Sequence, residues 1–356
     1  MQADFALLTV TLLPGVGPRA IRDLCARGPL AEVLATPGDH EDLLPVQAIA
    51  GLRSGEAVRR ATAEAETARR LGITLLGWDA TSYPTLLRRT FDPPPILYVR
   101  GGLPPAEGDG PGVALVGARA ASSLGRALAR AMARDLAAAG ATVVSGLARG
   151  IDTAAHQGAL EGQGRTIAVL GSALDRVYPG ENTELAAAVA ESGAVVSEFP
   201  FGTEPYPGNF PRRNRVIAGW SRAVVVVEAA ARSGALITAR YALEEGREVM
   251  AVPGHPSQPG SSGTNQLLRD GAALVRDASD VAAELGFEMR PAASPAASSG
   301  LIDALRPDVP ASLEELQALS GRALPELLAE LSRLELQARV RRLPGPLYLR
   351  ISPERV

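Results

Sequence analysis

The chain has 356 residues, enough for two or three domains with ample core, and 46% of them are hydrophobic, as in ordinary soluble globular proteins. All 36 basic residues are arginine, which excludes a Walker A lysine, Schiff-base chemistry and a lysine general base, and leaves phosphate contacts to guanidinium, backbone N–H and hydroxyl groups. A formal charge of −3 requires any cationic groove to be local, the single Cys25 excludes a disulfide framework, and His40, His156 and His255 lack zinc-ligand spacing, so neither metal nor cofactor is expected.

The N-terminal MQADFALLTV carries no basic region before its short apolar run, and no stretch reaches the roughly 18 apolar residues of a membrane span, so the expected compartment is the cytoplasm. Residues 1–70 read as helical: an apolar run Phe5 to Leu13, a PGVGPR turn from Pro14 to Arg19, then the apolar-periodic IRDLCARGPLAEVL. The spacing resembles a helix-hairpin-helix, whose glycine turn aims backbone N–H groups at a DNA phosphate; a plain turn between two helices accounts for it equally well. Glu56 to Arg70 reads as a solvated amphipathic helix.

From Leu71 onward, short apolar runs alternate with helical stretches, the pattern of a parallel α/β sheet. The predicted strands are Ile73–Leu76, Ile96–Val99, Val113–Val116, Thr142–Ser145, Thr166–Leu170, Val195–Ser197, Ala223–Val227, Val249–Val252 and Ala273–Val275. Residues 288–300, with the core PAASPAASSG, form a linker. Beyond it, SLEELQALSG and LPELLAELSRLELQ read as helices and RVRRLPGPLYLR as a hairpin, an order that resembles the second half of a winged helix. Its second helix sets Glu326, Glu330 and Glu335 against Arg333, which favours packing or protein contact over DNA reading.

Five turns carry candidate chemistry. VALVGARAASSLG lacks the G-x-G-x-x-G fingerprint but offers Gly117, Arg119 and a helix cap at Ser122 or Ser123, a group suited to one phosphate. VVSGLARGIDTAAHQGAL repeats the logic with Ser145, Gly146, Arg149 and Gly150 before a helix capped by Asp152 or Thr153; His156, four residues after Asp152, is read as structural because no nucleophile motif accompanies it. The third, around Pro179 and Gly180 before Asn182 or Thr183, is turn chemistry. The fourth is NFPRRNR: Asn209, Phe210, Arg212, Arg213, Asn214 and Arg215, with Arg222 after them, are expected at the ligand-binding end of the sheet. Phe210 is either a stacking platform for a base or core packing against Phe199 and Phe201. The fifth offers Ser233, Gly234 and Thr238 at another helix start.

Taken together, VGARAASSLG, SGLARGIDTAAHQGAL, VLGSALDRVYPGENTELA, SEFPFGTEPYPGNFPRRNRVIAGWSR, EAAARSGALITARYALEEGREVMAVPGHP and GTNQLLRDGAALV resemble, in order, the bacterial DNA-processing protein A family, also called DprA or Smf. The resemblance covers nearly all of the middle domain and is looser in the flanking parts. It implies an α/β fold in which an extended Rossmann-like parallel sheet, 71–287, is flanked by a helical, helix-hairpin-helix or SAM-like domain, 1–70, and a winged-helix-like domain, 301–356. It further implies a non-enzymatic protein that binds single-stranded DNA, dimerises and loads the RecA recombinase during natural transformation. The DNA pocket would then involve Gly117, Arg119, Ser145, Gly146 and the run Asn209 to Arg215. Family members often have lysines around this groove; arginine keeps the charge and adds stacking and bidentate contacts. The homodimer is expected through the helix near Asn265, Leu267 and Leu268, because two short grooves gain from bivalency.

A rival of another class is a nucleoside-monophosphate phosphoribohydrolase of the cytokinin-activating type. Such enzymes place PGGxGTxxE after the corresponding strand, where this chain has EAAARSGALITA, leaving Glu228 as the stray acidic candidate. A structural protein that binds no nucleic acid leaves the convergent anion-binding turns unexplained.

Overall fold

The computed structural model describes residues 4–103, 110–289, 305, 310–336, 339–343, 345 and 347–350. The chain divides into two compact units, Met1–Arg290 and Pro291–Val356.

The first unit opens with five helices: α1 (Phe5–Thr11), α2 (Pro18–Arg27), α3 (Leu30–Ala35), α4 (Val46–Arg53) and α5 (Glu56–Arg70). The stretch IRDLCARGPLAEVL is therefore two helices, broken at Gly28 and Pro29, because proline lacks the N–H that would continue α2. The helix α5 buries Ala57, Ala61, Ala65 and Ala68 along one stripe. Its Glu64 is not merely solvated, since it accepts bonds from the Tyr98 hydroxyl at 2.8 Å and the Phe201 N–H at 2.8 Å. The helices share one core with Leu75, Ile96, Tyr98, Leu147 and Leu170 of the sheet region, so they pack within the same unit as the sheet.

Nine strands follow: β1 (Thr74–Gly77), β2 (Ile96–Gly101), β3 (Gly112–Gly117), β4 (Thr142–Ser145), β5 (Thr166–Val169), β6 (Ala194–Ser197), β7 (Ala223–Glu228), β8 (Glu248–Ala251) and β9 (Ala273–Leu274). They lie in the order β1-β2-β6-β5-β4-β3-β7-β8-β9. From β6 through β9 every pairing is parallel, whereas β1–β2 and β2–β6 are antiparallel, so the expectation of a uniformly parallel sheet fails at this edge. The helices between parallel strands are α7 (Ser123–Ala138), α8 (Ile151–Glu161), α9 (Thr183–Ser192), α10 (Asn209–Trp220), α11 (Ala235–Glu244) and α12 (Ser262–Arg269), with α6 (Thr85–Arg88) before β2 and α13 (Ala278–Leu285) after β9.

Alternation explains why β7 can be four valines in a row. Val224 and Val226 enter the core on one face of the sheet with Ala114 and Val116, while Val225 and Val227 enter the other with Val113 and Leu115. Each such fully buried side chain contributes about 1.5–3 kcal/mol. The chain winds outward from β3 to β6, then returns to place β7 beside β3. That reversal opens a crevice at the carboxyl ends of β3 and β7, where open α/β sheets bind ligands.

The second unit has the expected helices, α14 (Leu313–Ser320) and α15 (Leu324–Leu336), and a sheet of β10 (Ala311–Ser312), β12 (Leu347–Arg350) and β11 (Val340–Leu343), in that order. A capping box between Ser312 and Glu315 starts α14, and Leu327, Leu331 and Leu334 of α15 close the core with Leu316, Val340 and Tyr348. Most of the predicted linker, 290–300, lies outside the described residues.

Candidate functional site

A cavity of about 450 Å³ occupies the crevice at the switch point. Five loops build it: the β3–α7 turn supplies Gly117 and Arg119, the β4–α8 turn Ala148 and Asp152, the segment after β5 Tyr178, the start of α10 Phe210, Arg213 and Asn214, and the start of α11 Ser233, Gly234 and Thr238. Two glycines are required by close approach. A Cβ at Gly117 would lie 2.5 Å from Ile151, and one at Gly146 would lie 2.5 Å from the Arg213 guanidinium, which passes directly beneath the β4 turn.

Two buried charged side chains, Arg213 and Asp152, form the floor. Arg213 is 4% exposed and donates to the carbonyl oxygens of Gly146 (2.7 Å) and Val169 and to Asn214 Oδ1 (3.1 Å). Burial lowers its pKa to about 10, with Asp152 opposing and Arg119 adding to the fall, so it stays charged at neutral pH. Asp152 does not cap α8 by the expected route; its Oδ2 folds back to accept from the N–H groups of Gly146 (3.1 Å) and Ala148 (3.4 Å). Burial raises its pKa and the nearby Arg213 charge pulls it down. Asn182 does not cap α9 either: its amide donates to Leu147 O at 2.8 Å and to Thr153 Oγ1 at 2.9 Å.

At the mouth, the Arg119 guanidinium lies 4.9 Å from the Phe210 ring centroid, and Tyr178 packs against the same ring at 5.7 Å with a 47° tilt. Phe210 is half-buried, and its ring partners are Arg119 and Tyr178 rather than the expected Phe199 and Phe201. Phe199 sits under Arg212 and Phe201 packs edge-on against Tyr98, both away from Phe210.

The structure does not bring all the sequence candidates to the cavity. Ser145 is fully buried and donates to Leu115 O at 2.7 Å, so its hydroxyl serves the sheet. Ser122 does cap α7, accepting from Gly125 N at 2.9 Å, but its N–H and hydroxyl bind the Glu228 carboxylate at 3.1 and 2.6 Å; the expected phosphate position already holds an internal anion. This also turns Glu228, the one acidic residue considered for hydrolysis, toward α7 and off the cavity wall. Arg215 is paired with Glu198 (2.6 Å) and Asp92 (3.3 Å), its side chain only 11% exposed, and is a structural cation rather than a groove residue. Arg222 precedes β7 and reaches Leu285 O at 3.3 Å, which puts it at the opposite end of the sheet from α10's first turn. Arg212 is exposed beside the cavity and paired with Glu198 at 3.1 Å, and Asn209 lies at the start of α10 without lining the cavity. Arg149 is exposed and holds Glu181 through two bonds of 2.9 and 2.7 Å.

His156 is structural, as expected from the missing nucleophile. Its Nδ1 lies 2.8 Å from Thr166 Oγ1, which itself donates to Val143 O, so Nδ1 carries the proton. Burial, reinforced by Arg213, lowers its pKa to about 3 and keeps the ring neutral. Of the residues named for a dimer face, Asn265 is engaged with Gly254 through both amide atoms, at 3.1 and 2.9 Å, and Leu267 and Leu268 are half-buried.

Tyr178 was missed because its neighbours Pro179 and Gly180 read as turn chemistry; its aromaticity in a chain that is only 4% aromatic was the available signal. Among the described residues, no cluster of His, Cys, Asp and Glu could hold a metal ion, and no helix is long and apolar enough to cross a membrane.

Residues 74–286 match the family model of DNA recombination-mediator protein A, and residues 286–346 match the DprA winged helix domain. Protein Smf of Escherichia coli K12 is 40% identical over 292 residues, covering 78% of this chain and 77% of that protein. The X-ray structure of DNA processing protein A from Streptococcus pneumoniae superposes with a TM-score of 0.68 at 33% identity, over 82% of this chain and all of that one. DNA processing protein A from Helicobacter pylori, whose structure concerns a single-stranded DNA binding mode, superposes with a TM-score of 0.53 at 29% identity, over 60% of this chain and 95% of that one. With the family match spanning more than half its length, and relatives agreeing in both sequence and fold, this chain belongs to the DNA recombination-mediator protein A (DprA/Smf) family.

Proposed function

We propose that this chain binds single-stranded DNA in the switch-point cavity and delivers it to the RecA recombinase, as a cytoplasmic homodimer and without covalent catalysis. The observation that carries the reading is the mouth of the cavity: an exposed guanidinium stacked on an aromatic ring, above a second, buried guanidinium. A flat cationic and aromatic surface accepts the π-face of any base, while guanidinium groups and the hydroxyls of Ser233 and Thr238 suit phosphate oxygens. The Helicobacter pylori relative, described with a single-stranded DNA binding mode, supports the same assignment. Within the cavity, the proposed contacts are Gly117, Arg119, Phe210, Arg213, Asn214, Ser233, Gly234 and Thr238, with Arg149 and Arg212 beside it.

The deciding experiment measures affinity for oligo-dT, its duplex and a mononucleotide as a function of salt, and assays the mononucleotide for release of free base. Salt-dependent binding that favours the single strand, with no turnover, is the expected result. Preference for duplex, or hydrolysis of the nucleotide, overturns it in favour of another ligand or of the phosphoribohydrolase. Light scattering tests the dimer through α12, and RecA filament formation on oligo-dT tests the delivery step.

A further inference from the structure

The geometry points to a second subsite, for the phosphate and base that follow the nucleotide held in the cavity, in which Arg149 takes the phosphate, Tyr178 stacks the base and Glu181 occupies the guanidinium until DNA arrives. This rests on the single-strand reading above.

Beyond the Phe210 and Arg119 stack lies a second recess of about 30 Å³. Arg119, Ala148, Tyr178 and Phe210 line both spaces, whereas Gly146, Arg149 and Pro179 line only the smaller one. The two are thus joined across the stack, and a strand leaving the cavity on this side meets the recess next. A recess of that size admits water-sized groups and does not enclose a base. It does fit an oxygen of a phosphate lying against the rim. Tyr178 is 41% exposed, so its ring is available to a base outside the recess while its inner side packs on Phe210.

In the free protein, Arg149 presents both arms of its fork to the Glu181 carboxylate, at 2.9 and 2.7 Å, with the two side chains 58% and 56% exposed. A phosphodiester offers the same bidentate pair of oxygens and the same single charge. Exposed ion pairs are weak and screened by salt, so Glu181 is displaceable. Its carboxylate nevertheless competes with the incoming phosphate and repels it. Removing that charge should therefore strengthen binding, an effect that a merely structural salt bridge does not produce.

The test uses the full chain with a fluorescent oligo-dT and, separately, thymidine monophosphate. At low salt, Glu181→Gln is expected to tighten oligo-dT binding about threefold, fading at high salt, and Arg149→Ala to weaken it about fivefold. Tyr178→Ala should weaken it about fivefold or more, with Tyr178→Phe restoring wild-type affinity. Glu181→Gln should not change mononucleotide affinity, because the cavity alone holds that ligand and Glu181 does not line it. Affinity of Glu181→Gln equal to or below wild type, or equal effects on mononucleotide and oligomer, overturns the subsite. If Arg119→Ala still weakens strand binding in that case, the cavity reading survives alone; a wild-type protein that ignores oligo-dT removes both.

Discussion

The cavity of the first unit and helix α15 of the second draw on the same arginine-only supply of positive charge and deploy it oppositely. Around the cavity, Arg119 and Arg213 face a concave space beside aromatic rings. On α15, the helix that a winged helix would offer to DNA, Glu326, Glu330 and Glu335 accompany Leu324 and Leu328, exposed at 41% and 39%, and the one arginine, Arg333, is paired with Glu330 at 2.6 Å. Among the described residues of these two regions, the first leaves guanidinium groups lining a concave, partly apolar space, and the second does not. Arg341 and Arg342 are exposed on β11, yet they lie on a strand beside an acidic helix rather than in a recess.

The strongest way to break this comparison is at the cavity floor. Arg213→Ala leaves Asp152 buried without its opposing charge and two carbonyls without a donor, so unfolding in urea should show a loss of about 3–5 kcal/mol in the first unit. A change below about 1 kcal/mol would mean that these bonds do not brace the floor. By contrast, Arg119→Ala should leave the melting temperature unchanged and weaken oligo-dT binding by about 1–3 kcal/mol, and Phe210→Ala should cost a similar amount of binding energy. A large drop in melting temperature for Phe210→Ala with intact binding would restore it to the core.

Acid sharpens the contrast between the two units, since all three histidines lie in the first. The folded-state pKa of His156 is depressed from 6.5 to about 3, so between these values the unfolded chain binds more protons and stability falls as pH falls. Relative to pH 7, about 2 kcal/mol should be lost at pH 5. Asp152, with its pKa raised, acts in the opposite sense, taking up a proton in the folded state on acidification. His156→Gln should therefore flatten or reverse the pH dependence of the urea midpoint; an unchanged slope would show that another group controls it. The smallest effect is expected on α15, where changing Glu326 or Glu335 to Gln should alter oligo-dT affinity by less than about 0.5 kcal/mol. Deletion from Pro291 onward should likewise leave single-strand binding largely intact. If the truncated protein stays folded and loses binding, the assignment of the strand to the cavity is wrong.

Much of this was legible in the sequence because the signals were periodic or obligatory. The alternation of apolar runs and helices located all nine strands of the large sheet, and the anion-suited turns after β3, β4 and β7 do converge, since the carboxyl ends of parallel strands must meet at one edge. The antiparallel β1 and β2 were not legible, because an apolar run does not encode the direction of its partner. Nor was the division of labour among neighbouring arginines: Arg212, Arg213 and Arg215 are nearly adjacent in sequence, yet helical rotation sends one to solvent, one under the β4 turn and one to Glu198 and Asp92.

By itself, then, the sequence determined the α/β class, the supply of guanidinium and glycine at the strand ends, and the acidic character of the last helix, since these follow from local pattern and residue chemistry. The tertiary structure alone decided that Glu228 fills the anion position at α7, that Ser145 serves the sheet, and that Tyr178 completes the aromatic mouth with Phe210. Each of those facts is a contact between groups distant in the chain, and free charge in a folded protein is what remains after such contacts have formed.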